Sequence, residues 1–289
     1  MGLEIFAQAA VQGLLMGAIY ALIALSMTLV FSVAGLLNFA HGDFLALAMF
    51  AALVLLQAFH LDPYVAVPLL FVAFAGLGAL LFRGLVQSVV SRSPLVGAQL
   101  TLGMVFVLQN FLLLAFGGDY RSVPTVLSNK SFRLGDIILP WPLIVAAVAA
   151  IILAGALYCV LSWTDFGRQV RAIAQNRAAA ALMGIPIEKV QTQAFALGIG
   201  LLGSTGPLVV AQFTITPSMG FDFTLLALIV MVFGGIGSFI GSMVGGLLIG
   251  LAEGVGSLMF GGTIGTMIPY VILLLMLLFR PHGLFGESR

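Results

Sequence analysis

The sequence contains few charged residues. Asp, Glu, Lys and Arg make up 7% of its 289 residues, hydrophobic residues make up 62%, and the formal net charge is +1. A soluble domain has about 25% charged residues, so this chain lacks the polar surface that a water-soluble globule needs. The small net charge gives no electrostatic basis for a nucleic-acid partner. The composition therefore predicts an integral membrane protein in contact with lipid.

Cysteine and early basic residues are scarce as well. The lone Cys159 cannot form an internal disulfide, and we interpret it as a small buried hydrophobic residue. The first basic residue is Arg83. Because a cleaved signal peptide needs a basic segment before its apolar core, the sequence predicts none here.

Catalytic and metal-binding motifs are missing too. His41, His60 and His282 are far apart and lack the spacing of metal ligands. Neither the HExxH motif of zinc proteases nor a nucleophile elbow is present. The sequence predicts a protein that is not an enzyme and holds no metal or cofactor. It also lacks a Walker A motif, so any ATP-driven process would need a separate ATPase.

Long apolar runs make up most of the chain, and a membrane-spanning helix needs about 20 such residues. We expect an all-α polytopic protein with eight to ten spans, forming a single transmembrane domain over residues 1–289. The candidate spans are Ala9–Phe31, Phe44–Phe59, Tyr64–Phe82, Ala98–Phe116, Trp141–Ser162, Val190–Phe213, Phe223–Ile236, Phe239–Phe260 and Ile264–Phe279.

The distribution of Lys and Arg predicts the orientation. Eight of the eleven basic residues fall in segments 83–97, 163–189 and 280–289. Because cytoplasmic loops are enriched in these residues, we place those segments in the cytoplasm and the N-terminus outside. Segment 117–140 is then the longest extracytoplasmic loop. It is interpreted either as a solvated connector or as part of a docking surface for a binding protein.

A polar stretch interrupts the apolar sequence early in the chain. Asn38, His41 and Asp43 lie within six residues, beside Gly35 and Gly42. Polar groups at bilayer depth are costly unless they pair or face a cavity. We expect them to form a hydrogen-bonded cluster at a broken helix near residues 33–45, beside a substrate path. A simple turn at the membrane surface is the alternative.

A second informative stretch lies in the predicted cytoplasmic loop 163–189. Thr164 or Asp165 can cap a helix that runs from about Phe166 to Met183, and Gly184 with Pro186 would end it. An apolar tip in a water-facing loop suggests a protein partner, although a helical hairpin lying on the membrane is the alternative. The predicted contact residues are Arg177, Ala180, Leu182, Met183, Gly184 and Ile185.

Glycines recur every four residues near the C-terminus. Such spacing lines a helix face with small residues and allows two helices to pack closely. We assign this packing role to Gly237, Gly241, Gly245, Gly246 and Gly250. Glu253 is the one carboxylate in the same run. We interpret it either as bonded to neighbouring helices or as a residue of the substrate path.

Five motifs, spread over nearly the whole chain, resemble the permeases of branched-chain amino-acid ABC importers, the Liv type. The resemblance is to the shorter, H-like permease, although Asp43 stands where Glu is more common. The motifs are Gly17–Leu22, Asn38–Asp43, Leu182–Ile185, Gly234–Ser238 and Arg280–Gly286.

This resemblance implies a type II-like importer permease in the bacterial inner membrane, moving branched-chain or other neutral amino acids into the cytoplasm. The implied partners are a second permease subunit, two cytoplasmic ATPase subunits that dock on the segment around Leu182, and a periplasmic substrate-binding protein. The same family includes permeases for urea and short amides.

Two other classes of protein are alternatives. An ion-coupled secondary transporter could use Asp43, Asp222 or Glu253, but the sequence shows no clear inverted repeat and would leave the helical loop 163–189 without a role. An intramembrane enzyme is opposed by the lack of a nucleophile–base pair. Composition and spacing do not identify the substrate.

Overall fold

The computed structural model describes residues 3–90, 94–135, 137–280 and 282–286. The chain is mainly helical. Its elements are α1 (Leu3–Ala34), α2 (His41–Phe59), α3 (Pro63–Leu81), a π-helical turn (Phe82–Val86), α4 (Gln87–Val90), α5 (Pro94–Phe116), β1 (Ser131–Leu134), β2 (Ile137–Pro140), α6 (Trp141–Trp163), α7 (Asp165–Gln175), α8 (Arg177–Leu182), α9 (Ile187–Val209), α10 (Gly220–Gly234), α11 (Phe239–Phe260), α12 (Gly262–Gly265) and α13 (Ile268–Phe279).

Each of the nine predicted spans coincides with a helical segment. Seven segments in the described residues are long and apolar enough to cross a membrane, which confirms the polytopic helical architecture. Outside that group, α10 is apolar but has only 15 residues. The other exception, α9, has polar residues in its first turns. Most of α9 is buried from Val190 onward, so protein surrounds it and it needs no apolar surface toward lipid.

Helix α1 is the centre of the bundle. Its residues from Ala18 to Val30 are all buried, as expected for a helix that is apolar on every side. It packs on α6, α9, α10 and α11, and α9 in turn contacts α2 and α3. The outer helices α3, α5, α6 and α13 leave large apolar side chains exposed. These faces suit contact with lipid chains.

The glycines of α11 contact two different helices. A Cβ on Gly246 or Gly250 would meet the backbone of α1, and one on Gly241 or Gly245 would meet the backbone of α10. Gly237 lies in the turn before α11 and has φ +85°, so it is not on a helix face. The four-residue spacing therefore serves two close helix pairs and one turn.

The loop between α5 and α6 is tied to three parts of the bundle. It contains the antiparallel hairpin β1–β2. One carboxylate oxygen of Asp62 caps α3, and the other accepts the N–H of Val126 at 2.9 Å. Arg121 and Ile215 exchange two backbone hydrogen bonds. Gln12 of α1 donates to a carbonyl of β2 at 3.4 Å, so the N-terminal part of α1 lies on the same side as this loop.

Candidate functional site

The segment Gly35–Ala40, here called the re-entrant segment, returns into the bundle between α1 and α2. Gly35, at φ +63°, ends α1. His41 begins α2, and its Nε2 lies 2.8 Å from Ser26 Oγ and 3.1 Å from the Ile23 carbonyl. Because α1 continues eight residues beyond Ser26, or about 12 Å at the usual rise, α2 starts well inside the bundle. This is the break predicted near residues 33–45.

Side chains from three helices hold the re-entrant segment and its ends. Thr101 of α5 accepts the N–H of Phe39 at 3.2 Å. The Thr224 hydroxyl of α10 accepts the N–H of Gly42 at 2.8 Å and donates to the Phe39 carbonyl at 3.0 Å. Gln191 of α9 donates to a carbonyl in the last turn of α1 at 3.0 Å. These bonds satisfy backbone groups that would otherwise be unpaired at bilayer depth.

We expect Thr224→Val to destabilise the protein. The change keeps the volume of the side chain but removes the hydroxyl that serves both Gly42 and Phe39. Leaving buried polar groups unpaired costs about 1–3 kcal/mol each. The melting temperature in detergent should fall for Thr224→Val and return toward the wild-type value for Thr224→Ser. Equal melting temperatures for the two variants would contradict the role of the hydroxyl.

The three polar residues of the sequence motif bond to different elements. Asn38 accepts the N–H of Ala40 at 3.2 Å, His41 bonds to α1 as above, and Asp43 Oδ1 accepts from Gln109 Nε2 of α5 at 3.0 Å. The structure therefore differs from the hydrogen-bonded cluster that we expected. The reason is that Asn38 bonds within its own turn, whereas His41 bonds back to α1 and Asp43 bonds to α5.

Each of these three buried side chains also has one atom without a hydrogen-bond partner among the described residues: Asn38 Nδ2, His41 Nδ1 and Asp43 Oδ2. All three residues are at most 1% exposed. Natural proteins leave few buried polar atoms unpaired, and such atoms often mark functional sites or places for water. In the described residues, no group of three or more His, Cys, Asp and Glu side chains could hold a metal ion.

Glu253, the fourth residue predicted to line the substrate path, lies in a different part of the bundle from the other three. It lies on α11, where its carboxyl group is within hydrogen-bond reach of the Tyr20 hydroxyl and near Tyr270. One of its oxygens, Oε2, has no partner among the described residues. The structure does not bring Glu253 together with Asn38, His41 or Asp43.

Two openings flank the re-entrant segment. On the side of the α5–α6 loop is a pocket of about 260 Å³, here called the outer pocket, lined by Gln109, Asn110, Leu113, Gly118, Tyr120, Thr216, Pro217 and Ser218. At the opposite end is a cavity of about 830 Å³, here called the inner cavity, which lies between the end of α1, α7, the turn before α11 and the C-terminal segment. Gln109 lines the outer pocket, and Asp43 lies behind it, bonded to Gln109.

The predicted cytoplasmic helix consists of two helices. Thr164 caps α7 by accepting the N–H of Gly167 at 3.2 Å. Asn176 then interrupts the helix, with φ −156° and ψ 102°, and its side chain accepts the N–H of Ala179 at 3.0 Å to start α8. Asn is favoured as such a cap, which explains why the run predicted from Phe166 to Met183 is divided.

The six residues expected to contact a partner are not all accessible. Leu182 is 89% exposed and Met183 is 83% exposed, and together they form the tip of the α7–α8 hairpin. Gly184 follows with φ +82° and ends α8. Ala180 instead is buried at 4% exposed. The others are Arg177, which is exposed, and Ile185, which is partly buried.

The C-terminal segment packs against the end of α10. The N–H groups of Leu284 and Phe285 donate to the carbonyls of Phe233 and Gly234, at 2.9 and 3.0 Å. The last carbonyls of a helix have no partner within it, so the segment completes the C-terminus of α10. Two of the sequence motifs, Gly234–Ser238 and Arg280–Gly286, therefore meet and form one wall of the inner cavity.

Four residues that hold the site were not singled out in the sequence: Thr101, Gln109, Gln191 and Thr224. Three of them bond to the backbone of residues 33–42, while Gln109 bonds to Asp43. A polar residue within a predicted apolar span is the signal that could have identified them.

Comparison with known proteins agrees with the geometry. Residues 9–279 match the model of a family described as "Branched-chain amino acid transport system / permease component". No solved structure matches.

Three curated relatives match along most of their length. The permease protein BraD of Pseudomonas aeruginosa is 30% identical, over 98% of this chain and 96% of the relative. The permease protein LivH of Escherichia coli K12 is 28% identical over the same shares. A probable LivH of Methanocaldococcus jannaschii is 27% identical over 92% of this chain and 88% of the relative. This chain therefore belongs to the family of permease components of branched-chain amino acid transport systems.

Proposed function

We propose that this chain carries branched-chain or other neutral amino acids across the bacterial inner membrane as one permease of an ABC importer. Residues 1–289 form its single transmembrane domain. Its partners are a second permease subunit, two cytoplasmic ATPase subunits and a periplasmic binding protein that delivers the substrate. The relatives BraD and LivH, named as permease proteins of high-affinity branched-chain amino acid transport systems, support this substrate class.

The observation that carries the proposal is the exposed tip of the α7–α8 hairpin. Leu182 and Met183 present two large apolar side chains on the side that is rich in basic residues, and the hairpin also carries Arg168, Arg171 and Arg177. An apolar tip on a charged segment suits a protein cleft, because burial of both side chains would contribute about 3–6 kcal/mol. In an ABC importer this cleft belongs to the ATPase.

The substrate path we propose runs from the outer pocket, past Gln109, Asp43 and the re-entrant segment, to the inner cavity. Asn38 and His41 border it on the re-entrant side. The unpaired atoms of these buried residues support the proposal, since they leave hydrogen-bonding capacity beside the proposed path. The inner cavity adjoins α7, so a movement of the α7–α8 hairpin would act directly on the inner end of the path.

Reconstitution of the complex tests the function. We expect proteoliposomes containing this chain with its partner permease and ATPases to accumulate labelled leucine only when ATP and the binding protein are present. Vanadate should abolish the uptake. A protonophore or the removal of sodium should leave it unchanged, because hydrolysis and not an ion gradient drives the transport. Uptake by this chain without an ATPase, or its loss with the protonophore, would contradict the proposal.

A further inference from the structure

We infer that Asp43 and Gln109 form the binding point for the ammonium group of a zwitterionic substrate, at the inner end of the outer pocket. This inference rests on the proposed function and deepens it, because it assigns the choice of substrate class to a pair of residues in the permease. Asp43 is a buried carboxylate whose second oxygen has no hydrogen-bond partner among the described residues.

Within the described residues, Asp43 forms no ion pair with a cationic side chain. The residue is 0% exposed, Oδ1 accepts from Gln109 at 3.0 Å, and Oδ2 has no partner among the described residues. The one ion pair within the described part of the chain joins Arg168 and Asp165, far away in α7. A carboxylate in such a place is unfavourable unless positive charge or hydrogen bonds compensate it.

Two helix ends supply part of that compensation. Asp43 lies in the first turn of α2, and Gly220, the first residue of α10, packs directly against it: a Cβ there would lie 2.5 Å from Asp43 Oδ1. The N-terminus of a helix carries a partial positive charge. The two helix ends and the Gln109 amide therefore favour an ionised carboxylate and still leave Oδ2 free for a mobile cation.

The outer pocket leads directly to this carboxylate. Gln109 lines the pocket and bonds to Asp43, while Thr216–Ser218 line it just before the chain reaches Gly220. The side chain of Gln109 thus separates Asp43 from the pocket. Gln109 has three rotatable bonds, so it can swing away from Asp43 without a change of backbone. An incoming ammonium group could then donate to both oxygens of Asp43 and to the Gln109 carbonyl oxygen.

The rest of the pocket suits an aliphatic amino acid. The pocket has a volume of about 260 Å³. Leu113 and Pro217 form an apolar part of its wall, beside the polar side chains. Arg121 adjoins the rim through its backbone, which pairs with Ile215, while its guanidinium donates to the Phe116 carbonyl. The ammonium group of an amino acid matches the negative inner end of the pocket. Urea and short amides have no cationic group, so Asp43 would favour amino acids over them.

Ligand-induced stabilisation of the assembled complex in detergent, without the binding protein, tests this inference. The probes are leucine, isoamylamine, which has the ammonium group only, isocaproate, which has the carboxylate only, and urea. We expect leucine and isoamylamine to raise the melting temperature of the wild-type complex, and isocaproate and urea to leave it unchanged. For Asp43→Asn, half-maximal stabilisation should require roughly tenfold to hundredfold more leucine, since a charge-assisted hydrogen bond is lost.

Two further variants keep the test decisive if Asp43→Asn does not assemble. Gln109→Lys places a tethered ammonium group beside Asp43, so the complex should assemble and no longer respond to leucine. Asp62→Asn is the matched control: it removes a carboxylate on the same side that caps α3 and bonds to Val126. That variant should melt at a lower temperature and still respond to leucine as the wild type does.

Several outcomes would overturn the inference. An unchanged response to leucine in Asp43→Asn or Gln109→Lys would exclude an ammonium site at Asp43. Stabilisation by sodium alone, lost in Asp43→Asn, would show that the site takes a metal cation instead. Stabilisation by isocaproate but not by isoamylamine would show that the pocket binds the carboxylate group of the substrate and not its ammonium group. If ATP-driven leucine uptake persists while these results go against Asp43, only the inference fails; if uptake itself is absent, the proposed function fails.

Discussion

Replacing Leu182 and Met183 together by Asp is expected to abolish ATP-driven uptake while the permease remains folded. Both side chains are more than 80% exposed, so the change removes few contacts within the chain. It does remove the apolar area that would enter the ATPase cleft, and it would bury two charges without partners. A loss of about 3 kcal/mol or more weakens the association roughly 100-fold.

Co-purification of the ATPase with the tagged permease measures this effect, together with hydrolysis stimulated by the binding protein. Ser88→Asp is the matched control, because it adds one exposed acidic group on α4, on the same predicted cytoplasmic side but outside the α7–α8 hairpin. It should retain the ATPase and transport normally. Ala180→Glu is not a suitable test of the contact, since Ala180 is buried within the chain and its change would disturb the hairpin itself. Retention of the ATPase and of full hydrolysis by the double variant would remove this tip as the coupling element.

The break between α1 and α2 could be predicted because its signal is local. Gly35 ends a helix through its positive φ, and polar residues follow it within a long apolar sequence. The partners of those polar residues could not be predicted. Gly42 bonds to Thr224, 182 positions later, and Asp43 bonds to Gln109, 66 positions later. Such contacts depend on which helices become neighbours in the bundle, and a single sequence does not contain that information.

The glycine pattern of α11 shows a similar limit. A four-residue spacing predicts a narrow face and a close helix approach, but it does not say which helix approaches. In the structure Gly246 packs on α1, whereas Gly241 packs on Gly234 of α10. The tip of α8 shows the opposite case. Leu182 and Met183 were predicted from their apolar character in a water-facing loop and from the family motif Leu182–Ile185, and their exposure follows because α8 is too short to bury them.

Docking of the C-terminal segment was not predicted, although both of its motifs were recognised. Residues 280–286 were identified as a family motif, and so were residues 234–238, but no pattern of apolar residues links the two. They meet through backbone hydrogen bonds to Phe233 and Gly234, and through the close approach of Gly283 to Gly235. Backbone hydrogen bonds and close approaches between glycines produce no hydrophobic periodicity, so this kind of contact cannot be predicted from apolar patterns in the sequence.

Gly246→Leu should have the largest effect on folding. A Cβ at this position would lie 2.5 Å from the Cα and N of Ala21 in α1, and backbone atoms cannot give way as a flexible side chain can. Helices α1 and α11 form the most extensive helix pair in the bundle, so their separation would expose the centre of the protein. Overpacking costs about 1–3 kcal/mol in ordinary cores. We expect a fall in melting temperature of about 5 °C or more, and a lower yield of folded protein in size-exclusion chromatography.

The matched control for this variant is Gly103→Leu in α5. No atom lies within 4 Å of a Cβ built there, so the larger side chain has open space. Gly is a poor helix former, by about 1 kcal/mol relative to Ala, and the control should therefore melt at the wild-type temperature or slightly above it. The two substitutions are chemically identical, but only Gly246→Leu is expected to lower the melting temperature. If Gly246→Leu and Gly103→Leu melt alike, close packing of α11 on α1 does not stabilise this permease, and the distance between those helices must be larger than the structure places it.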